Sequence, residues 1–139
     1  MYDIMENPNI FAFGASFDKV DVSEKFVDNN VVGIGWSEED APEFQYFVSS
    51  INVGDIVYIK ARPIGGPIIV KAIGKVVNET VLKNIHIGGK HHISFGVQVE
   101  WLYTKMFKIP IPIEKNNVRM NAMYQEFHPD IRDIILSKL

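Results

Sequence analysis

Phe44-Gln45-Tyr46-Phe47-Val48-Ser49-Ser50-Ile51-Asn52-Val53-Gly54-Asp55-Ile56-Val57-Tyr58-Ile59-Lys60-Ala61 changes its hydrophobic period halfway along. In the first part Phe44, Phe47, Val48 and Ile51 recur at i, i+3, i+4 and i+7, the spacing of one helix face. Pro42 suits the first turn of that helix, where a missing N–H costs nothing, and Ser37-Glu38-Glu39-Asp40 supplies a capping signal ahead of it. Asn52-Val53-Gly54-Asp55 stops the helix. Beyond it Ile56, Tyr58 and Lys60 alternate with Val57, Ile59 and Ala61, which is the period of a strand. A helix that turns tightly into a strand makes the chain α+β.

The flanking segments extend this reading. Upstream, Ile10-Phe11-Ala12-Phe13-Gly14-Ala15 reads as a strand after the breaker Asn7-Pro8-Asn9. Asp21-Val22-Ser23-Glu24 resembles a capping box and predicts a short helix ending near Asn29-Asn30. Val31-Val32-Gly33-Ile34-Gly35-Trp36 is a further strand whose glycines let another backbone or a ligand come close. Downstream, Ile68 to Val77 is a strand, Asn78 to His91 a polar stretch with Gly88-Gly89, and His92 to Tyr103 the longest clean strand. The prolines of Lys108-Ile109-Pro110-Ile111-Pro112-Ile113 confine that extended segment to an edge. Met120, Met123, Tyr124 and Phe127 fall at helical spacing, and Ile131, Ile134, Ile135 and Leu139 form a second helical stripe. The expectation is one domain over 1–139, a small barrel of five to six strands with two short inserted helices and a helical C-terminal tail.

Composition narrows the function. At 139 residues and 47% hydrophobic, the chain is rich enough in apolar side chains to exclude disorder as its main state. With no Cys, disulfide frameworks, thiol catalysis and cysteine-ligated zinc are excluded. No apolar run approaches the ~20 residues of a membrane span, and Met1 to Glu6 lack a signal peptide's basic-then-apolar pattern. A cytoplasmic chain without a membrane partner is expected. Residues 1–50 carry ten acids against two bases, and residues 51–139 twelve bases against seven acids. Such a split fits either a polyanion-binding face or acidic helices flanking a more basic sheet.

Enzyme signatures are weak. The sequence has no G-x-S-x-G elbow, Walker loop or G-x-G-x-x-G. Glu38-Glu39-Asp40 is explained by a helix N-terminus. His86, His91 and His92 do not make a convincing metal site, because neighbours in a strand point to opposite faces. No catalytic residue, cofactor or metal is expected. The aromatics are more informative: Trp36 ends a glycine-flanked strand, Trp101 ends the longest one, and Phe17 follows Gly14-Ala15-Ser16. Each tryptophan reads equally well as a core anchor or as a platform on which a planar base stacks.

Phe13-Gly14-Ala15-Ser16-Phe17, Val32-Gly33-Ile34-Gly35-Trp36-Ser37, Ile51 to Lys60 and Ile69-Val70-Lys71-Ala72-Ile73-Gly74-Lys75-Val76, in that order, resemble PUA-like domains of the EVE type. These include modules fused to AAA-type GTPases of modified-cytosine restriction systems. Gly96 to Leu102 and Asn117 to Glu126 are similar to the end of such modules. The resemblance implies a small barrel whose concave face accepts a flipped, often modified, nucleobase of DNA or RNA. It places Ser16 and Phe17 on the first loop, Trp36 and Ser37 on the pocket wall, and Tyr58 and Lys60 on the strand after Gly54-Asp55. Trp101 is a further stacking candidate, with Arg119 and Asn121 near the mouth. Lys60 or Arg119 would hold a neighbouring phosphate. The function expected is that of a non-enzymatic modified-base reader, in which a protein partner would supply any effector activity. The alternatives are a protein-interaction or accessory module, and a binder of a small nucleotide-like ligand.

Overall fold

The computed structural model describes residues 4, 6–17, 19–37, 39–61, 67–109 and 122–139. In chain order these form β1 (Ile10–Gly14), β2 (Ser16–Phe17), β3 (Val20–Asp21), α1 (Ser23–Asp28), β4 (Val31–Ile34), α2 (Glu43–Ser49) and β5 (Ile56–Ala61). Next come β6 (Ile69–Gly88), β7 (His91–Tyr103), β8 (Phe107–Lys108), β9 (Met123–Gln125) and α3 (Pro129–Ser137). One sheet runs β4-β7-β6-β5-β1-β9, with β8 on β6, and β2 and β3 form a separate ribbon. All pairs are antiparallel except β1 with β5, which run parallel in the register Ile10↔Ile56 to Gly14↔Lys60. The sheet curls into a half-barrel with few short helices and a C-terminal helix, a small α+β fold.

Side-chain alternation along the strands builds two cores. Phe11 and Phe13 of β1, with Val57 and Ile59 of β5, face a core shared with Val32, Ile93, Phe95, Phe26 of α1 and Val48 of α2. Ile10, Ala12, Ile56 and Tyr58 point the other way and pack under Ile131 and Ile135 of α3. The central strands therefore read as continuous apolar runs because helices cover both faces.

Several segments differ from the sequence expectation. Asn78 to Gly88 continues β6 rather than forming a loop; the register shifts between Val76 and Leu82 let a polar, exposed stretch remain in the sheet. Met123, Tyr124 and Gln125 are a strand, not a helix: Met123 joins one core and Tyr124 the other, as alternation requires. Phe47 lies on the helix face with Val48 but stays 48% exposed. At the start of α1 the Asp21 carboxylate accepts the Ser23 N–H at 2.9 Å and pairs with Lys71 at 3.2 Å. Partial burial works to raise its pKa, but the bonds from Ser23 and Lys71 prevail and hold it below the ordinary carboxylate value. Pro110 to Ile113 and Met120 lie outside the described residues.

Gly33 and Gly96 are register partners between β4 and β7. A Cβ on Gly33 would sit 2.3 Å from Ile93 Cγ2 and 2.4 Å from Phe95 O; one on Gly96 would sit 2.5 Å from Val32 O. Backbone blocks both, so neither side can yield cheaply. Gly33→Ala is expected to cost about 1–3 kcal/mol, as overpacking does, while Gly14→Ala, whose Cβ would meet nothing closer than 3.6 Å, should stay within about 0.5 kcal/mol of the parent. Denaturant unfolding of the two variants checks the contrast.

Candidate functional site

A cavity of about 560 Å³ opens where four strand ends meet. Gly14 ends β1, Ile34 ends β4, Lys60 lies near the end of β5, and His91 starts β7. Ser16, Phe17, Gly35, Trp36, Ser37, Asp40, Lys90, His92 and Ala122 complete the lining. Five residues expected from the sequence thus share one cavity: Ser16, Phe17, Trp36, Ser37 and Lys60.

Local packing fixes their positions. Phe17 is half-buried, its ring edge-on to Phe26 at 5.7 Å and to His91 at 6.4 Å. That ring lies against Gly35, where a Cβ would come within 3.2 Å of three of its carbons. Glycine at 35 is therefore what lets the β2 aromatic close over the end of β4. The next residue, Trp36, turns outward and leaves 56% of its surface exposed. After it the chain bonds to itself: Ser37 Oγ donates to Asp40 Oδ2 at 2.9 Å and accepts the Asp40 N–H at 3.1 Å. An Ala41 N–H to Ser37 O bond of 3.0 Å closes the turn. Asp40 thereby becomes part of the cavity wall.

Lys60 sits at the floor. It is only 8% exposed, and its ammonium lies 5.7 Å from the centre of the Tyr124 ring. Its register partner is Gly14, whose missing side chain leaves the ammonium bordering the cavity. Lys60 thus borders the cavity while staying almost wholly buried. Lys90, His91 and His92 reach the cavity from the β6–β7 turn, where the Lys25 ammonium donates to Gly88 O at 3.3 Å.

Tyr58 and Trp101 lie elsewhere. Tyr58 is fully buried on the α3 side, its hydroxyl donating to Glu126 Oε1 at 2.8 Å with Tyr124 Oη 3.2 Å away. Trp101 donates from Nε1 to Phe26 O at 3.2 Å and lays its ring on Gly74, where a Cβ would come within 3.0 Å of the indole. That is a packing role joining β7 to α1 and β6. Arg119 and Asn121 lie outside the described residues. Lys90, His91 and His92 escaped the sequence reading as wall residues because the polar residues 78–87 hid the strand that carries the turn to the cavity. Gly88-Gly89, both with positive φ, was the signal that a tight hairpin brings its flanking residues together. Among the described residues no three His, Asp or Glu side chains cluster as metal ligands would, and no helix is long and apolar enough to cross a membrane.

The cavity thus sits at one end of a curled sheet, where the ends of β1, β4 and β5 meet the start of β7. No protein-family model matches the sequence, and no curated protein matches it. Among solved structures, the chain is similar to the YTH domain of the Zygosaccharomyces rouxii MRB1 protein, determined in complex with N6-methyladenosine RNA. The TM-score is 0.61 at 10% identity, over 99% of this chain and 90% of that one. At that identity the likeness concerns the fold.

Burial pushes the Tyr58 hydroxyl well above the ordinary phenol value, and neighbouring Tyr124 and Glu126 push the same way. The folded state therefore keeps the proton that the unfolded chain releases near pH ~10, and stability falls as pH climbs past that point. Tyr58→Phe should flatten this alkaline loss while costing about 1–3 kcal/mol near neutrality, because Glu126 loses a donor. Thermal melts of both proteins between neutral and strongly alkaline pH provide the check.

Proposed function

We propose that this chain is a non-enzymatic reader that takes up a modified nucleobase of a nucleic acid in the cavity beneath Trp36. One observation carries the reading: an indole more than half exposed stands on the wall of a cavity of about 560 Å³. Exposing that much tryptophan forgoes burial energy, and a stacked base recovers it at about 1–3 kcal/mol. Phe17 offers a second aromatic surface, and Ser16 and Ser37 offer hydroxyls for a base edge. Lys90, His91 and His92 form a lip for the sugar-phosphate strand on either side of the captured nucleotide. The fold likeness to a domain solved with N6-methyladenosine RNA supports the same class of ligand.

Fluorescence anisotropy of labelled modified and unmodified DNA and RNA oligonucleotides tests the reading. Wild type is expected to bind at least one modified strand, and Trp36→Ala to weaken that binding by about tenfold or more, in line with the loss of one stacked base. Equal, negligible binding by both proteins across the set would overturn it.

A further inference from the structure

From Thr80 to Val99 the chain carries Lys83, His86, Lys90, His91 and His92 and no acid, although its net charge as a whole is −3. These residues lie on the second half of β6, the tight turn after it and the start of β7, so one hairpin holds all five. We propose that this hairpin is a phosphate-binding arm that carries a nucleic-acid strand beyond the cavity, with the paired imidazoles of His86 and His92 gripping one phosphodiester. The inference rests on the base-reader reading above and adds the surface that takes the backbone and its dependence on pH. His86 and His92 are register partners in the antiparallel pair of β6 and β7. Residues directly opposite in such a pair hold their Cβ atoms about 4.5–5.5 Å apart, so both rings can reach the two non-bridging oxygens of a single phosphodiester. Both residues are exposed, and neither makes a hydrogen bond or ion pair among the described residues.

A charged imidazole donates from both ring nitrogens and accepts nothing. Two charged imidazoles opposite each other repel, and an anion between them removes the repulsion. Phosphate binding and protonation of the pair therefore reinforce each other, and affinity falls as pH rises. The surrounding charge points to an anion over a metal cation. Lys83 and Lys90 are exposed on the same hairpin. From α1, the Lys25 ammonium donates to Gly88 O at 3.3 Å and Asn29 Nδ2 to Ile87 O at 3.4 Å. The acids of that helix, Glu24 and Asp28, form no ion pair among the described residues. In the cavity that His91 and His92 border, the other charged lining residues are Asp40, Lys60 and Lys90. No third imidazole or carboxylate among the described residues joins the pair as a metal ligand would. His91 is half-buried with its ring edge-on to Phe17 at 6.4 Å, so it belongs to the wall. His92 lines the cavity and His86 does not, which sets the phosphodiester they share just outside it, next along the strand from the captured nucleotide.

The experiment uses the full chain and two labelled single strands of mixed sequence and about 15 nucleotides, one DNA and one RNA, because phosphate contacts act on any sequence. Anisotropy titrations at constant ionic strength compare pH ~5.5 with pH ~8, the range over which histidines change charge. Wild type is expected to bind about tenfold or more tighter at the lower pH, with a salt slope steeper by about 0.7 for the phosphate neutralised. His86→Gln/His92→Gln should reduce the pH difference to about twofold or less. His86→Lys/His92→Lys should bind tightly at both pH values, a rescue that a merely structural role for the pair does not produce. A wild-type affinity that is undetectable or unchanged with pH, or a pH difference that survives intact in the glutamine variant, overturns the proposal. So does loss of binding on adding EDTA, which marks a bridging metal ion. Displacement of the strand by inorganic phosphate at equal phosphate concentration overturns it too, because it marks a site for the free ion. Trp36→Ala should keep the pH difference in full, since the arm reads no base, and its loss in that variant counts against the arm. The reader reading fails separately, if Trp36→Ala binds the modified strands as wild type does.

Discussion

The Gly33–Gly96 contact sets how closely β4 can lie on β7. With no Cβ on either partner, the strands approach until Phe95 O and Val32 O occupy the space side chains would take. That approach places the end of β4 beside the start of β7, so Ile34, Gly35 and Trp36 share one wall with His91 and His92. The cavity is a consequence of backbone proximity before any side chain is considered. A larger residue at either position would push β4 outward and move Trp36 with it. The same logic recurs at Gly35 under Phe17 and at Gly74 under Trp101. Three ring or strand placements thus depend on a side chain that is missing.

The second core anchors the floor. Glu126 is fully buried, accepts the Tyr58 hydroxyl through one oxygen and the His128 N–H through the other at 3.2 Å. A buried carboxylate needs such partners, since an unpaired one would cost several kcal/mol. This network ties β5 to the segment between β9 and α3, where His128 caps the helix by accepting the Asp130 N–H. Tyr124, between Tyr58 and Lys60, links the network to the cavity through its ring. Tyr58 therefore bears on the site through the placement of its neighbours, without entering the cavity.

How much was legible follows from which signals are local. The helix-to-strand change at Asn52–Asp55 was readable because period and turn chemistry sit in adjacent residues. The turn is closed by Asp55, whose buried carboxylate accepts the Asn52 N–H at 2.8 Å. Ser16, Phe17, Trp36, Ser37 and Lys60 were expected together from segment order and the resemblance, and all five line one cavity. Tyr58 and Trp101 did not follow, because parity and depth decide which side of a curled sheet a residue faces, and a sequence shows neither. The extension of β6 was hidden for another reason. Its pairing to β7 is broken by register shifts, which erase the strict alternation that announces a strand. Met123 and Tyr124 carried helical spacing by coincidence of a short strand lying next to a true helix.

The charge asymmetry acquires a location in the fold. Acidic residues cluster on the segments leading into α1 and α2, and Asp40 brings that negative character to the cavity wall. The bases Lys90 and Lys60 enter from the opposite half of the chain, one at the lip and one at the floor. A cavity lined by a single sign would attract a free anion or cation from any direction. This one is lined by both, with Asp40 on one hand and Lys60 and Lys90 on the other, so neither a simple anion nor a simple cation meets complementary charge throughout. Mixed lining of this kind bears on selection more than on raw affinity, and the exposed indole of Trp36 stands on the same cavity wall.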